Sequence, residues 1–332
     1  MEKIRVAIVG ATGGRAQGQL AFLAADERVQ ITTLVSRRTD DETLRNNAAR
    51  VGAEIVREWQ KAVSSDRVDA VLVCVPNVLH FEVARAALKA GKHVYVEYPI
   101  VQTPRELDEL ESLAKSRRLV LCGGLNVLAE PDYLAVKAAM AKIGSPVTAH
   151  RRYFGDPKRT TWYVDPALCG EMYLALHIHF IWQFRGLLGK VRWVNAETYD
   201  RKGERYCYGS IHMGHESGAT SLIEFGMGLP RPPAPLQGFF VQGTDGCISI
   251  DGKAARITKR IDAEPETIPF GPNESTARDT GGFINRILGT GELLSSLDDN
   301  REAMELCRAC VRSDAEGGRV ALEDREPGPA SS

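Results

Sequence analysis

The most constraining feature of the sequence is residues 71–100, which read VLVCVPNVLHFEVARAALKAGKHVYVEYPI. A short apolar run is followed by a Pro-Asn turn, a segment with helical periodicity, a second apolar run and a Glu-Tyr-Pro corner. Apolar β-type runs that alternate with amphipathic helices are typical of a parallel sheet that helices cover on both faces. The stretch therefore predicts the later half of a dinucleotide-binding α/β sheet, where strand ends meet cofactor and substrate.

The same alternation extends over the first third of the chain. The candidate strands are apolar on both faces and lie at Ile4–Val9, Ile31–Ser36, Ala70–Cys74, His93–Glu97 and Leu119–Cys122. The candidate helices lie between them, at Gln17–Ala25, Phe81–Ala90 and Pro104–Lys115. Continuously apolar strands of this kind occur in parallel sheets buried on both faces, so these residues predict a doubly wound Rossmann sheet.

The pattern changes after Gly123-Gly124. The candidate helices are now Pro131–Lys142 and a long apolar helix that ends at Leu188. The candidate strands are short alternating segments at Val147–Phe154, Trp193–Tyr199, Tyr206–Met213, Ala219–Phe225, Gly238–Gln242 and Cys247–Ile250. Alternation between turn residues predicts an α+β domain with a large, mostly antiparallel open sheet. We expect a dinucleotide-binding domain at 1–124, a substrate-binding and oligomerisation domain at 125–322, and a disordered tail at 323–332.

Composition narrows the class of protein. A chain of 332 residues is long enough for two domains. It is 43% hydrophobic and 26% charged with a formal net charge of −1, which argues against nucleic acid or an anionic membrane as its main partner. The first candidate strand follows closely on Met1 and leaves no room for a signal peptide, and the scattered cysteines suit reduced thiols. We therefore expect a cytoplasmic protein. The sequence shows no residue spacing typical of metal ligands, so we expect no metal site.

A glycine-rich turn follows the first candidate strand. Gly10, Thr12, Gly13 and Gly14 lie between that strand and the next candidate helix. Such a turn lets backbone N–H groups approach a pyrophosphate, with the positive end of a helix behind them. We expect these four residues to bind a dinucleotide.

The end of the second candidate strand bears on the choice of dinucleotide. An NAD site usually has an acidic residue there for the ribose hydroxyls, whereas a 2′-phosphate is held by arginine and a hydroxyl group. Ser36, Arg37 and Arg38 occupy this place and predict NADP(H) over NAD(H). The alternative is that the two arginines are solvated residues beside Asp40 and Asp41.

Several tracts together resemble the Gfo/Idh/MocA oxidoreductases. These are Pro-Asn-x-x-His at Pro76–His80, Ala-Gly-Lys-His-Val at Ala90–Val94, Glu-Tyr-Pro at Glu97–Pro99 and a Gly-x-x-Gly hairpin at Gly243–Gly246. The family typically has Glu-Lys-Pro at the third tract, so Tyr98 stands in the place of lysine. The resemblance extends over nearly the whole chain and implies a Rossmann domain followed by a substrate domain.

The resemblance also implies roles for individual residues. Pro76, Asn77, His80 and Glu97 are expected along the nicotinamide end of the cofactor. Proton transfer falls to Tyr98 and to a histidine on the long apolar helix. The family register selects His179, and His177 competes with it because it lies four residues after Tyr173 on the same helix.

The substrate side of the expected cleft draws on more distant residues. Asn126 matches an asparagine of a family turn, and Arg159, Trp162 and Tyr173 lie on segments that line the substrate pocket in the family. The family default is hydride transfer to or from a sugar, cyclitol or related hydroxy or keto compound. It also implies a homodimer or homotetramer through the open sheet of the second domain.

Two alternatives stay open at this point. Glu-Tyr-Pro and Ser-Arg-Arg also occur in family members similar to biliverdin reductase, which indicates a reductase of a conjugated or imine substrate. The loss of the family's lysine, and of the aspartate that Ala175 replaces, would also suit a non-catalytic NADP-binding regulator. Tyr98 and the helix histidines favour an enzyme, since they provide titratable groups.

Overall fold

The computed structural model describes residues 2–155, 165–200, 207–229, 238–259 and 264–322. These residues form two compact units that interleave along the chain. The first unit contains the chain up to Glu130, Asp165–Ala175 and Asn273–Met304. The second contains the described parts of Pro131–Val164, Leu176–Pro272 and Glu305–Ser332. The division at residue 124 remains a prediction, and the predicted tail at 323–332 lies outside the described residues.

The first unit is built on a six-stranded sheet in the order β3-β2-β1-β4-β5-β6. Its strands are β1 (Ile4–Val9), β2 (Val29–Val35), β3 (Glu54–Val56), β4 (Ala70–Val73), β5 (His93–Glu97) and β6 (Leu121–Gly124). All neighbouring strands are parallel. The predicted doubly wound Rossmann sheet is confirmed. Strand order reverses between β1 and β4, and the carboxyl ends on either side of that point are where such sheets bind ligands.

Helices of the first unit connect these strands and return from distant sequence. They are α1 (Gly14–Ala24), α2 (Glu42–Val51), α3 (Trp59–Ser64), α4 (His80–Lys89), α5 (Pro104–Arg117), α7 (Pro166–Cys169) and α9 (Ser275–Ile287), with 3₁₀ turns at Asn77–Leu79 and Asn126–Ala129. The start of α5 shows how local sequence sets such an end. Thr103 accepts from the backbone N–H of Glu106 at 3.3 Å, and the Glu106 carboxylate accepts from the N–H of Thr103 at 2.8 Å.

The second unit is built on a nine-stranded sheet in the order β14-β13-β12-β11-β7-β10-β9-β8-β15. The strands are β7 (Pro146–Gly155), β8 (Val191–Asp200), β9 (Cys207–His215), β10 (Thr220–Met227), β11 (Gly238–Gly243), β12 (Cys247–Asp251), β13 (Ala254–Thr258), β14 (Glu266–Pro269) and β15 (Val320–Ala321). The pair β7–β10 is parallel, and the other neighbours are antiparallel. The expectation of a mostly antiparallel sheet is confirmed.

The remaining helices are α6 (Pro131–Ala139), a 3₁₀ turn (Met140–Lys142), a π-helical turn (Tyr173–His177), α8 (Ile178–Leu188) and α10 (Leu297–Glu316). Strand β7 has side chains on both faces of the nine-stranded sheet, because successive side chains of a strand point to opposite sides. On one face Arg151 donates to Gln183 of α8 at 2.7 Å. His150 and Arg152 lie on the opposite face.

The structure contains elements that the sequence pattern did not predict. They are β3, β13, β14, β15 and the helices α2, α3, α7 and α9. Helix α9 was not recognised in the sequence, because Gly281-Gly282 gives it a low helix propensity. A Cβ atom at Gly281 would lie 3.0 Å from the ring of Phe22, so a small residue lets the helix pack closely there. Among the described residues, no helix combines the length and the apolar character that crossing a membrane requires.

Candidate active site

The glycine-rich turn begins at the end of β1. Gly10 has a φ of +91°, and a Cβ atom there would lie 2.3 Å from the carbonyl oxygen of Cys74. Only glycine fits this conformation and this approach of two backbone segments. The N–H of Gly13 donates to the carbonyl of Gly10 at 3.0 Å, and α1 begins at Gly14, beside which a Cβ would meet nothing within 4 Å. The turn thus presents the N-terminus of α1 beside open space, as a dinucleotide pyrophosphate requires.

Ser36, Arg37 and Arg38 follow β2 at the same edge of the sheet. Ser36 Oγ lies 3.3 Å from Thr12 Oγ1 and accepts from the backbone N–H of Arg38 at 3.1 Å. Both arginines are exposed. Among the described residues, no carboxylate comes within 4.0 Å of either guanidinium. Asp41 instead accepts from the N–H of Leu44 at 3.0 Å and caps α2, so it does not neutralise them.

The turn after β4 is joined to the turn after β5 by His80. Its Nδ1 lies 2.7 Å from the carbonyl oxygen of Pro99, and its Nε2 lies 3.0 Å from that of Val75. Burial lowers the pKa of His80, and the two carbonyl groups oppose this effect. The neutral ring has a single N–H, so it donates to one of these two carbonyl groups at a time and lies between the two backbone segments. Asn77, also buried, donates to the carbonyl of Cys169 at 3.2 Å.

Glu97 is the centre of a buried polar network at the end of β5. It is 5% exposed. Arg15 Nε donates to its two carboxylate oxygens at 3.3 and 3.4 Å, and Gln19 Nε2 donates to Oε1 at 2.5 Å. Gln19 is fixed in turn, because its Oε1 accepts from the Cys74 thiol at 2.9 Å. Burial raises the pKa of Glu97, and Arg15 and the backbone N–H of Tyr98 act in the opposite direction.

Tyr95 extends this network to α9. Its hydroxyl group donates to Asp279 Oδ2 at 2.5 Å and lies 3.3 Å from Glu97 Oε1. The sheet makes room for the phenol at Gly124, where a Cβ atom would lie 2.3 Å from Tyr95 Oη. Burial raises the pKa of Asp279 to about 7, although the hydrogen bond from Tyr95 acts to lower it. Near neutral pH this carboxyl group is therefore a site that can hold or release a proton.

Tyr98 follows Glu97 and is half-buried. Its phenol is close enough for a negative charge on it to act on the guanidinium of Arg15. Burial alone would lower the pKa of Arg15, but Glu97, Tyr95, Tyr98 and Asp279 together raise it. Arg15 therefore stays positively charged.

Sequence reasoning missed Arg15, Gln19, Tyr95 and Asp279. Three of them carried a usable signal. Tyr95 is two residues before Glu97 in a strand, and Gln19 is four residues after Arg15 in a helix, so each pair shares a face. Asp279 carried none, since it reaches the network from a helix far along the chain.

Asn126 and Tyr173 are both buried in the first unit. Asn126 is 3% exposed, and its Nδ2 has no hydrogen-bond partner among the described residues. A buried amide donor of this kind is available to a ligand, because nearly all such groups are satisfied in native proteins. Tyr173 is 2% exposed, and its backbone N–H donates to Glu171 at 3.0 Å. Arg159 and Trp162 lie outside the described residues.

The two helix histidines belong to the second unit. His177 is 1% exposed, and its ring centroid lies 3.8 Å from that of Phe225. Burial lowers the pKa of His177 to about 3, so the ring is neutral at pH 7 and cannot serve there as a cationic acid. His179 is half-buried in the first turn of α8. The roles assigned to both residues remain predictions.

Two family models match the chain. One, described as an oxidoreductase family with an NAD-binding Rossmann fold (Gfo/Idh/MocA), matches residues 4–124. The other, described as the GFO/IDH/MocA C-terminal domain, matches residues 133–249. Together they extend over the parallel sheet and much of the second unit.

Individual relatives act on sugars and cyclitols. The chain is 26% identical over 259 residues to a scyllo-inositol 2-dehydrogenase (NADP(+)) of Bacillus subtilis, covering 75% of this chain and 76% of the relative. It is 25% identical over 288 residues to a 1,5-anhydro-D-fructose reductase of Ensifer adhaerens, covering 81% of this chain and 84% of the relative.

Solved structures show the same fold. A biliverdin reductase from Synechocystis sp. PCC 6803, in complex with biliverdin and NADP+, gives a TM-score of 0.83 at 23% identity, covering 94% of this chain and 99% of its own. A 3-ketoreductase from Actinomadura kijaniata, in complex with NADP and TDP-benzene, gives 0.81 at 23% identity, covering 94% of this chain and 98% of its own.

Proposed function

We propose that this chain, which belongs to the Gfo/Idh/MocA family of oxidoreductases, transfers a hydride between NADP(H) and a sugar, cyclitol or related hydroxy or keto compound. The chain is an NAD(P)-dependent oxidoreductase. The observation that carries the finer proposal is the carboxyl edge of the parallel sheet. There the glycine-rich turn, the arginines and the Glu97–Tyr98 corner lie at the carboxyl ends of β1, β2 and β5.

The residues at this edge fit a dinucleotide. The Gly10 turn leaves no room for a side chain, and open space lies beside Gly14 at the start of α1. Backbone N–H groups of that turn would bind the pyrophosphate. Ser36 with Arg37 and Arg38 would bind a 2′-phosphate, which supports NADP(H) over NAD(H). The NADP(+) dependence of the scyllo-inositol dehydrogenase relative points the same way.

The reaction requires the transfer of a hydride and the transfer of a proton. Bound NADP(H) supplies or accepts the hydride at its nicotinamide ring. Tyr98 would give its phenolic proton to the carbonyl oxygen of a keto substrate or take it back from an alcohol, with His179 as the further proton carrier that we propose. Pro76, Asn77 and His80 shape the backbone after β4, and Glu97 binds Arg15 through both of its carboxylate oxygens.

The four predicted substrate-binding residues differ in the evidence that supports them. Asn126 is supported by its buried and unpartnered amide. Tyr173, Arg159 and Trp162 rest on the family resemblance alone.

A second candidate is reduction of a conjugated or imine substrate such as biliverdin. The Glu97-Tyr98-Pro99 corner favours it, because a phenol in place of an amine offers no fixed cation of its own. The structural likeness to a biliverdin reductase supports the fold on which such a reaction runs.

The proposal extends to assembly as a homodimer or homotetramer. One face of the nine-stranded sheet carries Tyr199, Tyr208 and Phe240, which are 49%, 43% and 36% exposed. The rings of Tyr199 and Tyr208 stack with centroids 5.2 Å apart. Exposed aromatic side chains on one sheet face favour association with another surface, and a second copy of the chain is the simplest partner.

Oxidation of NADPH and of NADH, followed by absorbance, tests the proposal against a keto-sugar, a cyclic imine and biliverdin. We expect turnover of the keto-sugar with NADPH preferred. Turnover restricted to biliverdin or the imine would establish the second candidate instead. If none of them turns over while NADPH fluorescence still reports tight binding, the proposed activity fails and a regulator that binds NADP(H) becomes the better interpretation.

A further inference from the structure

Two buried carboxyl groups of the first unit share one hydroxyl group as a hydrogen-bond donor. Tyr95 Oη lies 2.5 Å from Asp279 Oδ2 and 3.3 Å from Glu97 Oε1. The phenol has a single proton, so it donates to one of these carboxyl groups at a time. The other carboxyl group must be satisfied by a different donor or carry a proton of its own.

Glu97 has other donors, whereas Asp279 has none among the described residues. Arg15 Nε and Gln19 Nε2 donate to Glu97 at 3.3 and 2.5 Å. Asp279 is 1% exposed, and its Oδ1 has no hydrogen-bond partner. In the described ranges, no lysine, arginine or histidine nitrogen comes within 4.0 Å of its carboxyl group. A charged carboxylate is costly in such a place, so the geometry favours a protonated Asp279.

With Asp279 protonated, the three side chains form a continuous chain of hydrogen bonds. The acid proton of Asp279 is donated to Tyr95 Oη, and the phenol proton is donated to Glu97 Oε1. When both protons move along these hydrogen bonds, the O–H bonds of Asp279 and Tyr95 break while new ones form on Tyr95 and Glu97, and the phenol stays neutral. One proton thus serves two carboxyl groups, whose titrations are coupled.

The groups around this chain of hydrogen bonds include one cation that acts on both carboxyl groups. The other titratable side chains are Arg15 of α1, Cys74 after β4, Tyr98 after β5 and Cys122 of β6. Burial raises the pKa of both thiols well above the ordinary value, so they stay neutral. On α9 itself, Arg278 lies 3.7 Å from Glu274 in an exposed pair. Arg15 opposes the effect of burial on the pKa of both buried carboxyl groups.

Arg15 connects the buried carboxyl groups to the glycine-rich turn. It lies in the first turn of α1 directly after Gly14, beside which a Cβ would meet nothing within 4 Å. Its side chain is 40% exposed, and that of Glu97 is 7% exposed. A pyrophosphate at this turn adds negative charge beside a guanidinium that already serves a buried carboxylate. Added negative charge raises the proton affinity of the carboxyl groups, because it disfavours their ionised forms.

We propose that Asp279, Tyr95 and Glu97 form a buried proton-sharing site that takes up a proton when a dinucleotide binds at the start of α1. The inference requires a bound dinucleotide but neither a substrate nor hydride transfer. Burial raises the pKa of Asp279 to about 7, which sets the pH range of the effect. At lower pH the site is already protonated before binding, so the uptake is expected between about pH 7 and 8.

Isothermal titration calorimetry with NADPH measures this uptake. The observed binding enthalpy changes with the ionisation enthalpy of the buffer in proportion to the number of protons exchanged. If binding raises the pKa of the site by about one unit, about half a proton enters per NADPH at pH 7.5. The same linkage should raise the NADPH Kd about three-fold between pH 7 and pH 8.

Three variants assign the proton to this site. Asp279→Asn removes one carboxyl group and should reduce the uptake at pH 7.5 to below about 0.1 proton, while any contribution of the 2′-phosphate stays the same. Tyr95→Phe removes the only donor to Asp279, which then holds its proton more tightly, so the uptake should move above about pH 8. Glu58→Gln is the matched control and should keep the wild-type uptake, since Glu58 forms an exposed pair with Arg57 at 3.8 Å.

The outcomes keep this inference separate from the proposed activity. NADPH binding to the wild type without proton uptake at pH 7.5 would overturn the inference, even for an active enzyme. Equal uptake by wild type and Asp279→Asn would assign the proton to other groups, and unchanged uptake in Tyr95→Phe would exclude sharing through the phenol. Uptake by a protein that turns over no substrate would support the inference and locate the failure in the proposed function. A chain that binds neither NADPH nor NADH would contradict both.

Discussion

Two glutamate–arginine pairs in this protein have the same chemistry and opposite surroundings. In the first unit Arg15 contacts Glu97 at 3.3 Å, and the carboxylate side chain is 7% exposed. In the second unit Arg152 contacts Glu224 at 2.7 Å, and the carboxylate side chain is 35% exposed. His150 adds a contact to Glu224 at 2.7 Å.

The two carboxyl groups respond to these surroundings in opposite ways. Burial raises the pKa of Glu97, and Arg15 offsets this only in part. Burial also acts to raise the pKa of Glu224, but Arg152 and His150 outweigh it, so the pKa of Glu224 is lowered. An ion pair therefore does not by itself show that a charge is well accommodated. The buried pair, with Tyr95 and Asp279 behind it, has the perturbed pKa values that are typical of functional sites, which supports the proposed site.

The largest expected difference between the two sites is in how the free energy of unfolding depends on pH. Asp279→Asn would remove the dependence that comes from the buried site. The pKa of Asp279 is about 7 in the folded protein against 3.8 ordinarily, so the folded state binds the extra proton between these values. Its contribution to the free energy of unfolding is therefore present at low pH and lost as pH rises through 7, amounting to about 4 kcal/mol over pH 4 to 8. Urea unfolding of wild type and Asp279→Asn across this range measures the difference.

Glu224→Gln is the control of opposite sign. A carboxyl group whose pKa is lowered on folding stabilises the protein above its unfolded pKa and loses that effect as pH falls. Its replacement should therefore flatten a rise of stability with pH, whereas Asp279→Asn flattens a fall. If both substitutions changed the slope of stability against pH in the same direction, the comparison between the two pairs would be wrong.

The next contrast is in catalysis. Glu97→Gln keeps the shape of the side chain but removes the charge that orients Arg15, and we expect kcat to fall about 100-fold. Glu224→Gln makes the same chemical change in the second unit and should leave kcat within about two-fold. Steady-state rates of both variants with the same substrate decide the matter. Equal losses would show that the buried pair has no special part in the reaction.

The sequence predicted the strands near the Arg15–Glu97 pair but not the contact between these two residues. The bounds of β1 and β5 were predicted as they occur, because their apolar runs are followed directly by Gly10 and by the Glu-Tyr-Pro corner. Glu97 and Tyr98 were singled out by motif. That Arg15 would contact Glu97 depends on tertiary packing that brings the start of α1 to the end of β5, which no local pattern contains.

The contact that Asp279 of α9 makes with Tyr95 could not be predicted from sequence patterns, for a physical reason. Asp279 follows Tyr95 by 184 positions in the chain, and only tertiary packing brings the two together. Gly281-Gly282 also lowers the helix propensity by which α9 might have been recognised. A buried acid from a late helix is visible in the fold and has no signature in the neighbouring sequence.

The smallest expected effect concerns the stability of the second pair and depends on what covers its sheet face. In a monomer, Glu224→Gln should cost at most about 1 kcal/mol of unfolding free energy, because the pair is partly solvated. If a second copy buries this face, the same change removes the negative charge that faces Arg152 in a place shielded from water, and the cost rises to roughly 3 kcal/mol or more. Unfolding measured at low and high protein concentration separates the two, with Arg57→Gln as the surface control. A small cost that never grows with concentration would show that the exposed pair stays in water, and would contradict assembly through this face.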